Sequence, residues 1–272
     1  MPHPVKVLRT EFITPDVKRF TVERPQGYKF VPGQATDVAI DRPGWTDKLR
    51  PFTFTNTTTA RHLEFIIKIY GDHDGVTKQL GLMHAGEGLL LHAPFGAITY
   101  QGPGFFIAGG AGVTPFVAIL RDLHRKKKLK GNTLLVSNHT AMDVILDEEF
   151  TRMLGRHFLK VVTRQHVIGF RERRIDRDML VVLVQNFDQK FYVCGPGAFV
   201  NEIGTMLLDL GAKAESLVVE QCPSVFSAGT FRGPDQPDAS RRAASARADD
   251  RRAPVRPAPR PRGSCAPCSW RP

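Results

Sequence analysis

The stretch Phe105–Pro115, which reads FFIAGGAGVTP, carries the strongest indication of the fold. An apolar run opens it, and the helical run Phe116–Leu123 follows directly after Pro115. Glycines between a strand and a helix let the backbone turn sharply and approach a diphosphate, which the N–H groups at the helix N-terminus then favour. Pro115 suits the first helical turn because its missing N–H costs nothing there. The stretch therefore predicts a strand, a phosphate-binding turn and a helix, although a purely structural turn also explains these residues alone.

A second glycine turn lies further along the chain. The apolar run Phe191–Cys194 is followed by Gly195-Pro196-Gly197 and by a helical run. In a parallel sheet both turns emerge at the C-terminal edge, where open α/β sheets bind ligands. We expect the two turns to hold one dinucleotide. Taken singly, Cys194 is better explained as a packed core thiol.

The runs around these turns divide the chain in two. Before about Tyr100, short β-type runs are separated by turn residues. The predicted strands there are Val5–Ile13, Val17–Val22, Ala35–Ile40, Pro51–Asn56, Leu63–Tyr70 and Leu89–His92, with one helix at Val76–Leu82. Strand and helix then alternate: Phe105–Ala108 then Pro115–Lys128, Thr133–Ser137 then Asp147–Leu154, Leu159–Thr163 then Arg177–Leu183, Phe191–Cys194 then Ala198–Leu210, and finally Ala214–Val219. We predict an antiparallel β-barrel over residues 1–101 and a parallel-sheet α/β domain over residues 102–220.

The net charge of +11 is unevenly distributed. Residues 221–272 hold ten arginines and four aspartates, a net of +6, so residues 1–220 carry only +5. Such a weakly basic body does not call for a nucleic-acid partner. The N-terminus lacks the pattern of a secretory signal, and the most apolar window is broken by glycines and Pro115, so we expect a cytoplasmic protein without a membrane span.

The last segment, residues 221–272, has a composition of its own, rich in Arg, Pro and Ala. No apolar period survives there, which predicts disorder. Two origins fit: a natural basic tail, or the frameshift product of a GC-rich gene whose native end lies near Glu220. The pair Cys265 and Cys268 has the spacing of only half a metal site, so no metal is expected.

The segment Arg50–Thr55, RPFTFT, places a guanidinium, aromatic rings and hydroxyls on one extended strand. Alternation sends Arg50, Phe52 and Phe54 to one face, and Thr53 and Thr55 to the other. From these residues alone, an ordinary barrel strand with its aromatics in the core is an equally good explanation.

Four motifs in order, Arg50–Thr53, Gly75–Thr77, Gly109–Pro115 and Cys194–Pro196, resemble those of the ferredoxin-NAD(P)H reductase superfamily of flavoproteins. The resemblance covers about residues 3–220. It implies a flavin-binding barrel followed by a pyridine-nucleotide-binding domain. A four-cysteine iron–sulfur pattern of the ferredoxin type is missing from the sequence, so no fused ferredoxin domain is expected.

The resemblance also implies a role for each matched residue. Arg50 would contact the flavin diphosphate, Phe52 would lie against the isoalloxazine ring, and Thr53 would hydrogen-bond flavin N5. The catalytic residues implied are Thr53, Cys194 and Glu220, the last being a carboxylate near the flavin. The cofactor-binding residues implied are Arg50, Pro51, Phe52, Thr53, Lys68, Gly75, Val76, Thr77, Gly109, Gly110, Gly112, Thr114, Pro115, Cys194, Gly195 and Pro196. The implied cofactors are FAD, favoured over FMN, and NADH or NADPH as hydride donor.

The sequence departs from the family's pattern at two places in the flavin site. Phe52 stands where the family usually has Tyr, which keeps the stacking surface and removes a hydroxyl. Cys222 stands where an aromatic often follows the carboxylate. For the nucleotide, the end of the strand Leu134–Thr140 offers neither the Arg of an NADP site nor an acid, and Asp143 can act as a helix cap, so NADH is favoured.

The expected function is hydride transfer from NAD(P)H to flavin, then single electrons to an acceptor protein such as ferredoxin, flavodoxin or an oxygenase component. One alternative is a reductase component of an oxygenase or an electron-transfer subunit of a larger enzyme. Others are nucleic-acid binding through the basic tail and nucleotide binding without turnover. The basic run Arg125–Lys130 is explained either as a solvated helix end or as a docking patch for an acidic electron carrier.

Overall fold

The computed structural model describes residues 1–72, 74–96 and 98–219, and of Glu172 the backbone alone. Six strands make the first sheet: β1 (His3–Thr14), β2 (Val17–Glu23), β3 (Ala35–Ile40), β4 (Arg50–Thr53), β5 (His62–Lys68) and β6 (Gly88–Leu91), with helix α1 (Val76–Leu82) between β5 and β6. The strand order is β4-β3-β6-β1-β2-β5, and each named strand pair is antiparallel. A bridge between Phe54 and Phe65 joins the two ends of this sheet, so it closes as a barrel.

Aromatic and branched side chains fill the barrel. Phe54 is fully buried, and its ring stacks on Phe30 with 4.3 Å between the ring centroids. Tyr28 and Phe65 complete this aromatic group. Because Phe54 belongs to the interior, the ordinary core explanation of the Arg50–Thr55 segment is correct for this residue.

The second sheet also has six strands: β7 (Gly104–Gly109), β8 (Thr133–Asn138), β9 (Phe158–Val162), β10 (Arg171–Glu172), β11 (Lys190–Cys194) and β12 (Leu217–Val219). Their order is β10-β9-β8-β7-β11-β12, and all neighbours are parallel. The helices are α2 (Thr114–Arg125), α3 (Asp147–Leu154), α4 (Arg177–Leu183) and α5 (Gly197–Asp209). The chain adds strands outward on one side of β7 and then returns to its other side with β11. The topological switch point, where such sheets bind ligands, therefore lies between β7 and β11.

Both faces of this sheet are covered. Phe106 and Cys194 point into a cluster with α2 and α3, whereas Phe105 and Val193 point into a cluster with α4 and α5. This alternation is the two-residue period of a strand buried on both faces. Barrel residues contribute to the α2 side of the sheet: Val17, Ile66 and Ile98 belong to the same cluster as Phe106.

The structure confirms the predicted fold class, an antiparallel barrel followed by a parallel α/β sheet. The largest difference among the helices is the end of α2, which stops at Arg125 and not at Lys128. Lys127 takes a left-handed conformation with φ 57°, which a continuing helix does not allow. The short strand β10 was not predicted, because two residues carry no readable period.

Some predictions fall outside the described residues. Glu220 and the tail, residues 221–272, are among them. The boundary between residues 101 and 102 stays a prediction. No helix in the described part of the chain combines the length and the hydropathy needed to span a bilayer.

Candidate active site

The two glycine turns meet at the switch point between β7 and β11. The first continues from Gly109 into a 3₁₀ turn, Gly110–Val113, and the second begins at Gly195. A Cβ atom on Gly112 would lie 2.4 Å from the carbonyl oxygen of Cys194, and one on Gly195 would lie 3.2 Å from the Cα of Gly109. Side chains at these positions would push the turns apart. The structure thus brings together the glycine residues and Cys194, as the sequence predicted.

Phe199, in the first turn of α5, packs against both glycine turns. A Cβ on Gly109 or on Gly195 would approach its ring to 3.0 or 2.8 Å. Phe199 belongs to none of the motifs identified in the sequence. The only signal was its position one turn into the helix that follows Gly195, where many apolar residues are ordinary core.

The start of α2 suits a phosphate group. Its N-cap is Val113, no side chain of the described residues caps it, and a proline occupies the first turn. Gly110 has φ 53° and open space where a side chain would be. The backbone at Gly110, where the turn begins, is therefore compatible with a diphosphate lying against the turn. The residues present fit the pyridine-nucleotide diphosphate.

Tyr192 anchors the strand that carries the second turn. Its hydroxyl accepts a hydrogen bond from the N–H of Gln101 and donates one to the carbonyl of Gly102, both at 2.8 Å. Its ring stacks on Phe106 with 4.2 Å between centroids. Burial raises the pKa of Tyr192 to about 12, so the hydroxyl keeps its proton at neutral pH. These hydrogen bonds hold Gln101 and Gly102, in the segment that connects the two sheets, against β11.

The barrel half of the predicted site lies on β4. Arg50 and Pro51 are exposed, and the Arg50 guanidinium donates to the carbonyl of Leu49 at 2.7 Å. Phe52 is half-buried against the barrel core, so part of its ring remains accessible. An exposed guanidinium and a partly accessible aromatic ring on one strand are compatible with flavin binding.

Thr53 and Thr55 differ in what their hydroxyls do, although both are buried. The Thr55 hydroxyl donates to Glu64 Oε1 at 2.7 Å. None of the hydrogen bonds between described residues uses the hydroxyl of Thr53. The Thr53 oxygen is also not among the buried, unpaired polar atoms of the described residues, so it remains accessible to a polar atom of a bound ligand. This difference separates the predicted flavin ligand from its neighbour two positions on.

Two further predicted cofactor residues lie elsewhere on the barrel. Gly75 is the N-cap of α1, with an extended backbone and open space around it. No described side chain caps this helix N-terminus, at which Val76 and Thr77 lie. Lys68, at the end of β5, forms an ion pair with Asp16 at 2.9 Å. Its ammonium group thus has a partner in the turn between β1 and β2, and its role toward a cofactor stays a prediction.

The end of β8 shows what Asp143 does. The N–H and hydroxyl of Thr140 both donate to Asp143 Oδ2 at 2.8 Å, a capping box around a short 3₁₀ turn. The structure also places a residue here that the sequence analysis did not consider. The backbone N–H of Arg164, two residues past β9, donates to the carbonyl of His139 at 2.9 Å. An arginine with an exposed side chain therefore lies beside the end of β8.

Two family models match the chain. An oxidoreductase FAD-binding domain covers residues 4–100 and an oxidoreductase NAD-binding domain covers residues 106–204, together well over half of the chain. These matches confirm the predicted superfamily and the expectation of one FAD-binding and one NAD-binding domain.

The chain is also similar to characterised proteins. It is 32% identical over 160 residues to the propane 2-monooxygenase reductase component of Rhodococcus jostii, covering 56% of this chain and 42% of that protein. It is 30% identical over 144 residues to NADH-cytochrome b5 reductase 2 of Mycosarcoma maydis, covering 48% and 41%. The matches span less than half the length of these relatives. A ferredoxin NADP⁺ reductase from Neisseria gonorrhoeae, solved with FAD and NADP, superposes with a TM-score of 0.71 at 19% identity, covering 80% of this chain and 97% of that one, and shows the same fold.

Proposed function

This chain belongs to the ferredoxin-NAD(P)H reductase superfamily of oxidoreductases, and on that premise we propose that it moves a hydride from NAD(P)H to FAD and then single electrons to a separate acceptor protein. The observation that carries the proposal is the contact between the two glycine turns at the switch point of the parallel sheet. Bound FAD supplies the ability to take two electrons at once and to release them one at a time.

The chain's own residues position the reacting groups. The backbone of the glycine turn before α2 would hold the nucleotide diphosphate, and the turn of Cys194 and Gly195 would lie beside the nicotinamide. Phe52 offers a ring face to the isoalloxazine, and the Thr53 hydroxyl donates to it. Hydride transfer depends on such alignment because the cofactors bring the reactivity and the protein brings the geometry.

We propose that the acceptor is an oxygenase component or a small electron carrier such as a ferredoxin or flavodoxin. The relatives whose names state a partner are an oxygenase reductase component and a cytochrome b5 reductase. The sequence given contains no four-cysteine pattern of the ferredoxin type.

The basic run Arg125–Lys130 is a poor place for that acceptor to dock. It begins where α2 ends, and the twelve residues of α2 separate it from the glycine turn by ~17 Å of helix. Asp122 also pairs with Arg125 at 2.8 Å and with Lys126 at 2.5 Å. These contacts favour the explanation of the basic run as a solvated helix end over its explanation as a docking patch for an acidic electron carrier.

The test compares acceptors under anaerobic conditions with NADH or NADPH as donor. Ferricyanide reports electron release in general, whereas a plant-type ferredoxin, a flavodoxin and cytochrome b5 report transfer to proteins. We expect reduction of ferricyanide and of at least one protein. Reduction of ferricyanide alone would contradict the acceptor proposal. If no acceptor is reduced, the proposed reductase activity is wrong, and the chain binds nucleotide without turnover.

A further inference from the structure

Arg121, near the middle of α2, links the barrel to the helices of the second sheet. Its Nη1 donates to Glu64 Oε1 at 2.6 Å and to the carbonyl of Thr55 at 2.9 Å, both on the barrel. Its Nε and Nη2 donate to the two carboxylate oxygens of Glu149 on α3, at 2.6 and 2.7 Å. The guanidinium and both carboxylates are thus committed to one another.

A cavity of about 520 Å³ opens beside this junction. Arg121 and Glu149 form part of its wall, and the remaining lining side chains are Thr57, His124, Arg125, Arg152 and Met153. The wall therefore combines the barrel loop after β4 with the last turns of α2 and α3.

The cavity carries an excess of positive charge. Glu149 is the one acid in its described wall, and Arg121 engages both of its carboxylate oxygens. Arg125 gives one nitrogen, Nη2, to Asp122 and keeps its other donors, and Arg152 is exposed with no ion pair to a described residue. Arg125 and Arg152, on different helices, thus line a cavity whose one described acid, Glu149, is already hydrogen-bonded to Arg121.

We propose that this cavity is a second binding site, for a small anion that carries at least two phosphate or carboxylate groups. Guanidinium groups bind such oxygens in a forked, charge-assisted geometry, and two of them from two helices match a ligand with two negative groups. The described wall has one apolar side chain, Met153, and no Phe, Tyr or Trp. Recognition rests on charge.

The site is separate from the glycine turns because it lies toward the opposite end of α2. A ligand there would touch the barrel through Thr57 and the helices through Arg125 and Arg152 at once. Because such a ligand binds the folded chain and not the unfolded one, it stabilises the junction held by Arg121.

The test uses the full chain with its flavin and inorganic pyrophosphate as the probe. Isothermal titration at low ionic strength gives the Kd, and thermal unfolding with and without pyrophosphate gives the shift in Tm. The variant is Arg152→Gln. Its matched control is Arg156→Gln, another exposed arginine, which lies just past the end of α3 and is not part of the cavity wall.

We expect the wild type to bind pyrophosphate and R152Q to weaken binding about fivefold or more, the loss of one partly exposed charge contact. R156Q should change the Kd less than twofold. No binding by the wild type, or a Kd for R152Q that changes no more than that of R156Q, would overturn the site. Binding at the glycine turn would give the second outcome, because neither arginine lies there. Neither readout requires electron transfer, so this result is independent of the proposed reductase activity.

Discussion

At the scale of single residues, the difference between Thr53 and Thr55 is the most informative feature of the barrel. Both residues are buried, but within the described part of the chain the Thr55 hydroxyl has a partner, Glu64, and the Thr53 hydroxyl has none. A substitution that removes each hydroxyl without changing its volume should therefore have two different consequences.

Thr53→Val should slow the reduction of bound flavin by NADH by about tenfold, the loss of a hydrogen bond to the reacting cofactor. Stopped-flow absorbance measures the rate. Thr55→Val is the control: it should lower the free energy of unfolding by about 2 kcal/mol, because Glu64 loses a donor, while the rate per bound flavin stays unchanged. Equal rates for wild type and T53V would remove Thr53 from the reaction.

Gly112→Ala should separate the two glycine turns, because the added methyl group would lie 2.4 Å from the Cys194 carbonyl oxygen. We expect a loss of about 1–3 kcal/mol in stability and about tenfold weaker binding of the nucleotide, measured by chemical unfolding and by titration. Gly71→Ala is the matched control, since nothing lies within 4 Å of its new methyl group. Unchanged nucleotide affinity in G112A would mean that the turns are not the binding site.

The glycine positions were predictable because their chemistry is local: a strand, a sharp turn and a helix follow one another in sequence. The contacts of Phe199 and Arg164 were not predictable, because each residue contacts a segment far away in the chain. Their position depends on which strands are neighbours, and periodicity does not report that.

At the scale of secondary-structure elements, α2 is held between β5 and α3 by Arg121. Burial disfavours the charged forms of this group, but the carboxylates of Glu149 and Glu64 outweigh it and raise the pKa of Arg121. Burial also acts to raise the pKa of Glu149, but Arg121 outweighs it and holds that pKa below the usual 4.5. A carboxyl with a lowered pKa stabilises the fold above its unfolded-state pKa, and this stabilisation is lost as the pH falls through the folded value.

Glu149→Gln should therefore destabilise the chain by about 1–2 kcal/mol at pH 7, and the difference from wild type should shrink below about pH 4.5. Urea unfolding from pH 7 to pH 3 measures both. Glu148→Gln, at the exposed neighbouring position, is the control and should show little pH-dependent difference. A constant difference for E149Q across this range would show that the ion pair does not contribute.

The bounds of most elements follow from the sequence because buried residues recur with the period of a strand or a helix. The ion-paired cluster of Arg121, Glu64 and Glu149 could not be predicted in this way, since charged residues on a helix or a strand are usually solvated. The three charged residues are buried or half-buried because the barrel packs against α2. Ile66 and Ile98 of the barrel belong to the same cluster as Phe116 of α2.

At the scale of the whole molecule, the order of the strands determines where the chemistry lies. β7 and β11 are neighbours although about eighty residues separate them in the chain, so their turns form one site at the edge of the sheet. The family and the order of the two sheets were predictable from four short motifs. The cavity beside Arg121 was not, because its wall is assembled from three segments that no motif connects.

The central claim is that this chain binds FAD and reduces it with a pyridine nucleotide. The most direct measurement is an absorbance spectrum of the protein supplied with FAD, followed by anaerobic titration with NADH and, separately, with NADPH. We predict a visible flavin band at one FAD per chain that bleaches with one equivalent of at least one of the two donors. A protein that retains no FAD, or a flavin band that neither donor bleaches, would contradict the account.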